Sequence, residues 1–263
     1  LKGAALAHTH YPDPALRPMN DIDLLVKPEH LFPAIKTLKQ IGYRQQKITY
    51  HAVLAGGPES RVNLELHWLL LPRRDPEALI TWVWDQVVPF QLSGLDSQTC
   101  FALDPGARFL YLSAHLGLAH DGENPRLIWS YDLYRLIFRD RTELDLRQIN
   151  HMGEQFGWSP ALAQSLGILE QRFSRFLPGR LIQESIAVNH SPGKPEYFSD
   201  QLAYTRSFTS QSMAVISFRG RISVLGSTLF PSAAYIREKY RFQPGWLWPV
   251  GYIQRVADFM FHQ

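Results

Sequence analysis

The sequence predicts an α+β protein in which a small mixed sheet flanked by helices is followed by an all-helical C-terminal part. Two observations carry this reading. Up to about residue 70, short stretches such as Asp21-Ile-Asp-Leu-Leu-Val26 and Val62-Asn-Leu-Glu-Leu-His-Trp68 alternate apolar and polar residues between Pro- and Gly-rich breaks, the period-two signature of strands with one buried face. From Asp104-Pro105 onward the alternation gives way to apolar residues three and four apart, the period of amphipathic helices. The totals permit such a fold, since 263 residues with 45% apolar and 13% aromatic side chains can fill one large core or two modest ones.

Residues 1–10 read as a short helix, and Pro12, Pro14 and Pro18 as the loop behind it. A strand through Val26 follows, then Pro28 opens a helix whose Leu31, Ile35 and Leu38 share a face and which Gly42 ends. Strands over 43–54 and 61–70 flank the turn Gly56-Gly-Pro-Glu-Ser60 as an antiparallel hairpin would. Asp75-Pro76-Glu77 starts a helix reaching Val83, and 87–92 and 99–103 are apolar enough for edge strands. Helices are expected over 105–120, 125–139, 145–156, 160–176, 195–219, 231–240 and 247–261, punctuated by Pro160, Pro178, Pro192, Pro231 and Pro249. A boundary near residue 98 would divide the chain into an α/β domain, 1–98, and a helical domain, 99–263.

One cysteine, Cys100, rules out an internal disulfide framework and fits a reducing compartment, so a cytoplasmic protein is expected, with the thiol neutral and buried in its apolar stretch. No apolar run reaches the roughly 18 residues a membrane span needs, the most apolar C-terminal stretch being broken by Arg219 and Arg221. Residues 1–100 balance ten basic against ten acidic side chains, whereas 201–263 carry seven against two, a net +5. That end is open to a polyanion, or is simply a helical surface with spaced arginines. Leu1-Lys2-Gly3 reads as the interior of a motif, so a segment upstream of Leu1 is expected.

The chemistry concentrates in the two alternating stretches. On a strand Asp21 and Asp23 project together while Ile22, Leu24 and Val26 line the other side; Glu65 and His67 share one face of the second stretch, and Leu64, Leu66 and Trp68 the other. Three crowded carboxylates repel one another unless a cation neutralises them, and oxygen ligands suit Mg2+ or Mn2+. The pattern points to phosphoryl or nucleotidyl transfer. An Asp-x-Asp pair is cheap by itself: Glu143-Leu-Asp145, flanked by Arg141 and Arg147, reads as a solvated surface. Asp21 and Asp23 instead interrupt an apolar strand, where the bland alternative is a strand mouth with two exposed aspartates.

Other chemistries have less support. No Gly-x-Ser-x-Gly and no phosphate-binding Walker loop occurs. His115 and His120 are about 500° apart around a helix and make a poor metal pair. Asp132 lies in an apolar-aromatic helix and is expected to bond across to His115.

Leu1-Lys-Gly-Ala-Ala-Leu6, Arg17-Pro-Met-Asn-Asp-Ile-Asp-Leu-Leu-Val26, Ile41-Gly-Tyr43 and Leu64-Glu-Leu-His-Trp68 together resemble the uncharacterised bacterial nucleotidyltransferases of the DNA polymerase β-like superfamily. The likeness extends through Leu103-Asp-Pro, His115, His120 and Trp129-Ser-Tyr-Asp132. It implies a minimal nucleotidyltransferase sheet with a helical C-terminal domain, divalent ions, and transfer of AMP or another NMP from ATP or another NTP to a hydroxyl on a small molecule, protein or RNA, releasing pyrophosphate. Asp21, Asp23 and Glu65 would be the catalytic metal ligands. Lys2 and Gly3 would approach the phosphates, Gly3-Ala4 standing where the superfamily has Gly-Ser or Gly-Gly. Arg17 would neutralise the same phosphates or pair with Asp13, and His67 would touch the acceptor or hydrogen-bond a ligand carboxylate. Two other readings stay open: a degenerate module that binds a nucleotide or partner without turnover, and a toxin- or antitoxin-like modifier of tRNA or protein.

Overall fold

A computed structural model describes residues 1–57, 62–71, 75–92, 99–119, 125–176, 201–240 and 248–261. The chain forms two compact units, each made of two separated segments: residues 1–19 with 71–204, and residues 20–70 with 205–263.

The second unit is built on a four-stranded mixed sheet. Its strands β1 (Asp21–Leu25), β2 (Arg44–Ile48), β3 (Ala52–Ala55) and β4 (Asn63–His67) lie in the order β1-β4-β3-β2. β1 pairs parallel with β4, and the other pairs are antiparallel. One face is apolar because Leu54, Leu64, Leu66 and Trp68 all point to it, and they bury against Leu31 and Ile35 of helix α2 (Leu31–Gln40). Ile216 and Val224 join the same cluster, Val224 from the helix over Phe218–Leu229. Each fully buried aliphatic side chain contributes roughly 1.5–3 kcal/mol relative to its exposed state. The one polar atom of Trp68 is satisfied too, its indole N–H donating to the Ser212 carbonyl at 2.8 Å. α2 ends where Gly42 takes a φ of +95°, a conformation costly for a side chain with a Cβ.

The 43–54 stretch, expected as one strand, folds back on itself as the β2–β3 hairpin. Thr49 N–H donates to the His51 carbonyl at 3.0 Å, closing the reversal. Nothing in the residues announces it, since no Gly, Pro, Asn or Asp occurs from 43 to 54, and the turn is held in part from outside by Tyr50 stacking on Phe208 with ring centroids 4.6 Å apart. The expected helix over 195–219 is also two. One helix covers Gln201–Ala214 and the next Phe218–Leu229, the latter started by Ser217, whose hydroxyl accepts from Gly220 N–H at 3.2 Å. Ala233–Tyr240 and Val250–Phe261 complete the unit.

The first unit holds helix α1 (Gly3–Thr9), helix α3 (Pro76–Asp85), the antiparallel pair β5 (Val87–Gln91) and β6 (Thr99–Leu103), and helices α4 (Pro105–Ala119), α5 (Leu127–Asp140), α6 (Leu146–Phe156) and α7 (Ser159–Phe173). The remaining helices are numbered α8 (Gln201–Ala214), α9 (Phe218–Leu229), α10 (Ala233–Tyr240) and α11 (Val250–Phe261). All described residues after β6 are helix or connection. α4 is the axis of the first unit, packing against α5, α6 and α7. Asp75 starts α3 as expected, and Asp145, exposed beside Glu143, also caps α6, through Arg147 N–H and Gln148 N–H. Cys100 is half-buried on β6 rather than enclosed.

No helix among the described residues is long and apolar enough to cross a membrane. Residues 58–60 of the expected Gly56 turn, His120 and the start of the expected 195–219 helix lie outside the described residues.

Candidate active site

The parallel pairing of β1 with β4 sets Asp23 directly opposite Glu65, and Asp21 opposite Asn63. Residues in register on neighbouring strands share a face, so the carboxylates stand on the polar side of the sheet, away from the Leu64-Leu66-Trp68 layer. His67 follows Glu65 by two residues and returns to that face. Its Nε2 lies 2.9 Å from Asp23 Oδ1 and 3.6 Å from Glu65 Oε2. The shorter contact is a hydrogen bond. His67 Nδ1 is buried with no hydrogen-bond partner among the described residues, which places the proton on Nε2, where it has an acceptor.

One ligand atom each from Asp23, Glu65 and His67 lies within 4.8 Å of the others. Asp21 stands on the same face, one register step back and half-buried, outside that group. Asp23 is 8% exposed and His67 5%, while the Glu65 side chain keeps 25% of its surface. Glu65 is therefore the carboxylate that meets solvent. Burial alone would raise its carboxyl, but His67 and His51 outweigh that and hold it below the ordinary carboxylate range; Asp23 opposes them. The donor set fits a divalent cation: two carboxylates supply the charge such an ion would neutralise, and the His67 imidazole, which here donates to Asp23, would supply a third ligand atom only on losing its Nε2 proton.

His51 is a member that linear reading missed. Its Nε2 lies 3.7 Å from Glu65 Oε1, and its ring stacks on His67 with centroids 5.2 Å apart. It is buried, at 6% exposure. Once β2 and β3 are seen as a hairpin, alternation back from Val53, which is in register with Glu65, puts His51 on the carboxylate face. Read as the interior of one long strand, the residue gave no such signal.

The first-unit residues singled out by resemblance make contacts of their own. Arg17 does not pair with Asp13, which instead caps the short turn Pro14–Leu16 by accepting from Ala15 N–H. Its guanidinium forks onto Asp132 of α5, with Nη2 at 2.7 Å from Oδ2 and Nε at 3.2 Å from Oδ1. Asp132 also accepts from the Tyr11 hydroxyl at 2.7 Å, so it is Tyr11 and Arg17 that engage this carboxylate where His115 was expected; the His115 ring packs edge-on to Tyr111 and Trp129. Gly3 makes room for Arg17, since a Cβ there would lie 2.8 Å from Nη1. Lys2 supplies the carbonyl that Leu6 N–H reaches at the start of α1.

A family described as uncharacterised nucleotidyltransferase matches residues 1–174. The chain belongs to this nucleotidyltransferase family. The match contains β1 through β6 and therefore Asp21, Asp23, Glu65 and His67. No curated protein and no solved structure matches the chain.

Proposed function

We propose that the protein is a divalent-metal-dependent nucleotidyltransferase that moves an NMP from an NTP to a hydroxyl acceptor and releases pyrophosphate. One observation carries the proposal: Asp23, Glu65 and His67 converge within 4.8 Å on the polar face of a sheet in a chain of this family. Asp23 and Glu65 would hold the ion, with Asp21 contributing from the next register position on β1. When bound, Mg2+ or Mn2+ would polarise the α-phosphate and make the acceptor hydroxyl more acidic.

The protein's own groups divide the remaining work. Glu65, the more exposed carboxylate, takes the proton of the acceptor hydroxyl as that oxygen bonds to the α-phosphorus and the bond to the leaving pyrophosphate breaks. Like an ordinary carboxylate, it is ionised at neutral pH. His67 fixes Asp23 in place through the 2.9 Å hydrogen bond. The proposal keeps a catalytic part in 1–98 and a helical part in 99–263, and keeps Lys2 and Gly3 as phosphate contacts by family likeness.

Incubation with each α-labelled NTP, Mg2+ or Mn2+ and a lysate should label an acceptor, and Asp23→Asn and Glu65→Gln should each abolish that label while the fold survives by circular dichroism. Equal labelling by the variants would refute the assignment. A module that binds nucleotide without turnover is the second reading, favoured by the commitment of the Arg17 guanidinium to Asp132. Metal-dependent NTP binding without pyrophosphate release would select it.

A further inference from the structure

We infer that a second, cationic subsite on the same face of the sheet receives the acceptor, and that the acceptor is a small molecule carrying a phosphate or carboxylate group. A pocket of about 600 Å³ is lined by Gln46, Lys47, Val53, Ala55, Asn63, Tyr235 and Lys239, a volume suited to a small molecule. The strand register places it. Asp23 faces Glu65, Glu65 faces Val53, and Val53 faces Lys47, so one row runs across all four strands from the carboxylates to the pocket. Lys47 is two strand spacings from Glu65, about 10 Å along the sheet.

The pocket has the chemistry of an anion site. Two lysines line it, and among the described residues no acidic side chain does. The register of β2 slips between Gln45 and Lys47, a bulge that re-aims side chains, and Gln46 and Lys47 both end up in the lining. Ser232 donates to Gln46 Oε1 at 3.0 Å, which leaves the Gln46 amide N–H groups to donate. Tyr235 is held under the Arg255 guanidinium, 5.4 Å from the ring centroid. Along the row the charge changes from carboxylate to ammonium, so a bound molecule is oriented: its anionic group lies against Lys47 and Lys239, and a hydroxyl points toward Glu65. A cationic acceptor is disfavoured by the same field. The identity of the occupant as the acceptor rests on the nucleotidyl transfer proposed above; the preference of the pocket for anions does not.

Pyridoxal 5′-phosphate is a direct probe, because its aldehyde condenses with a lysine amine, losing water, and borohydride fixes the imine as a secondary amine. On the full chain, peptide mapping should find Lys47 or Lys239 labelled at least tenfold faster than Lys27, Lys36 or Lys39, and at least tenfold faster than by pyridoxal, which lacks the phosphate. Glucose 6-phosphate should protect these lysines and glucose should not, with a non-hydrolysable NTP and Mn2+ present at saturation. Labelling no faster than at the other lysines, or equal labelling by pyridoxal, overturns the anion site. Protection by the NTP alone would assign the lysines to the nucleotide and overturn the acceptor assignment. Asp23→Asn should leave the labelling unchanged even where it abolishes transfer, so failure of the pocket and failure of the catalytic reading are read separately.

Discussion

Asp23 and Glu65 face each other across one strand pair yet live in different surroundings, and that difference predicts different consequences of losing each. Glu65 keeps a quarter of its side-chain surface in contact with solvent, so Glu65→Gln should fold and lose transfer activity by about 10²–10⁴-fold, the usual weight of a positioned general base. Its carboxyl titrates below the ordinary value of about 4.3 because His67 and His51 favour the ionised form against burial. A depressed carboxyl contributes stability that is present above the unfolded value and lost as pH falls through the folded one. Denaturant titrations below about pH 4.3 should therefore show a shallower acid loss in Glu65→Gln than in the wild type; an unchanged slope would remove the histidines from the account. His67→Ala acts elsewhere, taking the 2.9 Å donor from a nearly buried Asp23. Its expected cost is about 1–3 kcal/mol in urea unfolding, together with weaker Mn2+ binding by paramagnetic resonance.

Elements show where sequence periodicity speaks and where it falls silent. Period-two alternation placed Asp21, Asp23, Glu65 and His67 on one face, opposite the buried Leu64, Leu66 and Trp68, although Leu24, expected in the apolar layer of β1, is 38% exposed. The start of α3 was legible through Asp75, whose carboxylate accepts a backbone N–H group locally. The β2–β3 reversal was not, because part of what holds it comes from Phe208, far along the chain, and the same gap hid His51. The Asp13 partner expected as one role of Arg17 failed for a related reason: the carboxylate it engages is 115 residues away on α5. That ion pair is nearly fully buried, with side-chain exposures of 9% and 2%, and breaking it from one side strands a charge. Asp132→Ala should cost about 3–5 kcal/mol, more than Tyr11→Phe, which removes only a hydroxyl donor; chemical denaturation of the two variants compares them.

At the scale of the whole molecule, the family match stops at residue 174 while the sheet unit needs residues beyond it. Ile216 and Val224 complete the apolar cluster under β3 and β4, and the Ser212 carbonyl satisfies the buried indole of Trp68. A fragment of residues 1–204 would contain every candidate metal ligand and still lack the part of the apolar layer that Ile216 and Val224 add beside α2 behind their sheet. Exposing that face forfeits roughly 25 cal/mol for each Å² of apolar surface returned to water, and it orphans the Trp68 N–H. The first unit keeps both of its own segments in such a fragment, including Arg17 and Asp132. Residues 1–204 should then retain the helical signal of α4 to α7, bind a hydrophobic dye strongly, and fail to bind Mn2+ in calorimetry. Tight Mn2+ binding by this fragment would show that the strands hold Asp23, Glu65 and His67 together without α8 and α9, and would limit the role of the C-terminal helices to the lysine-lined pocket.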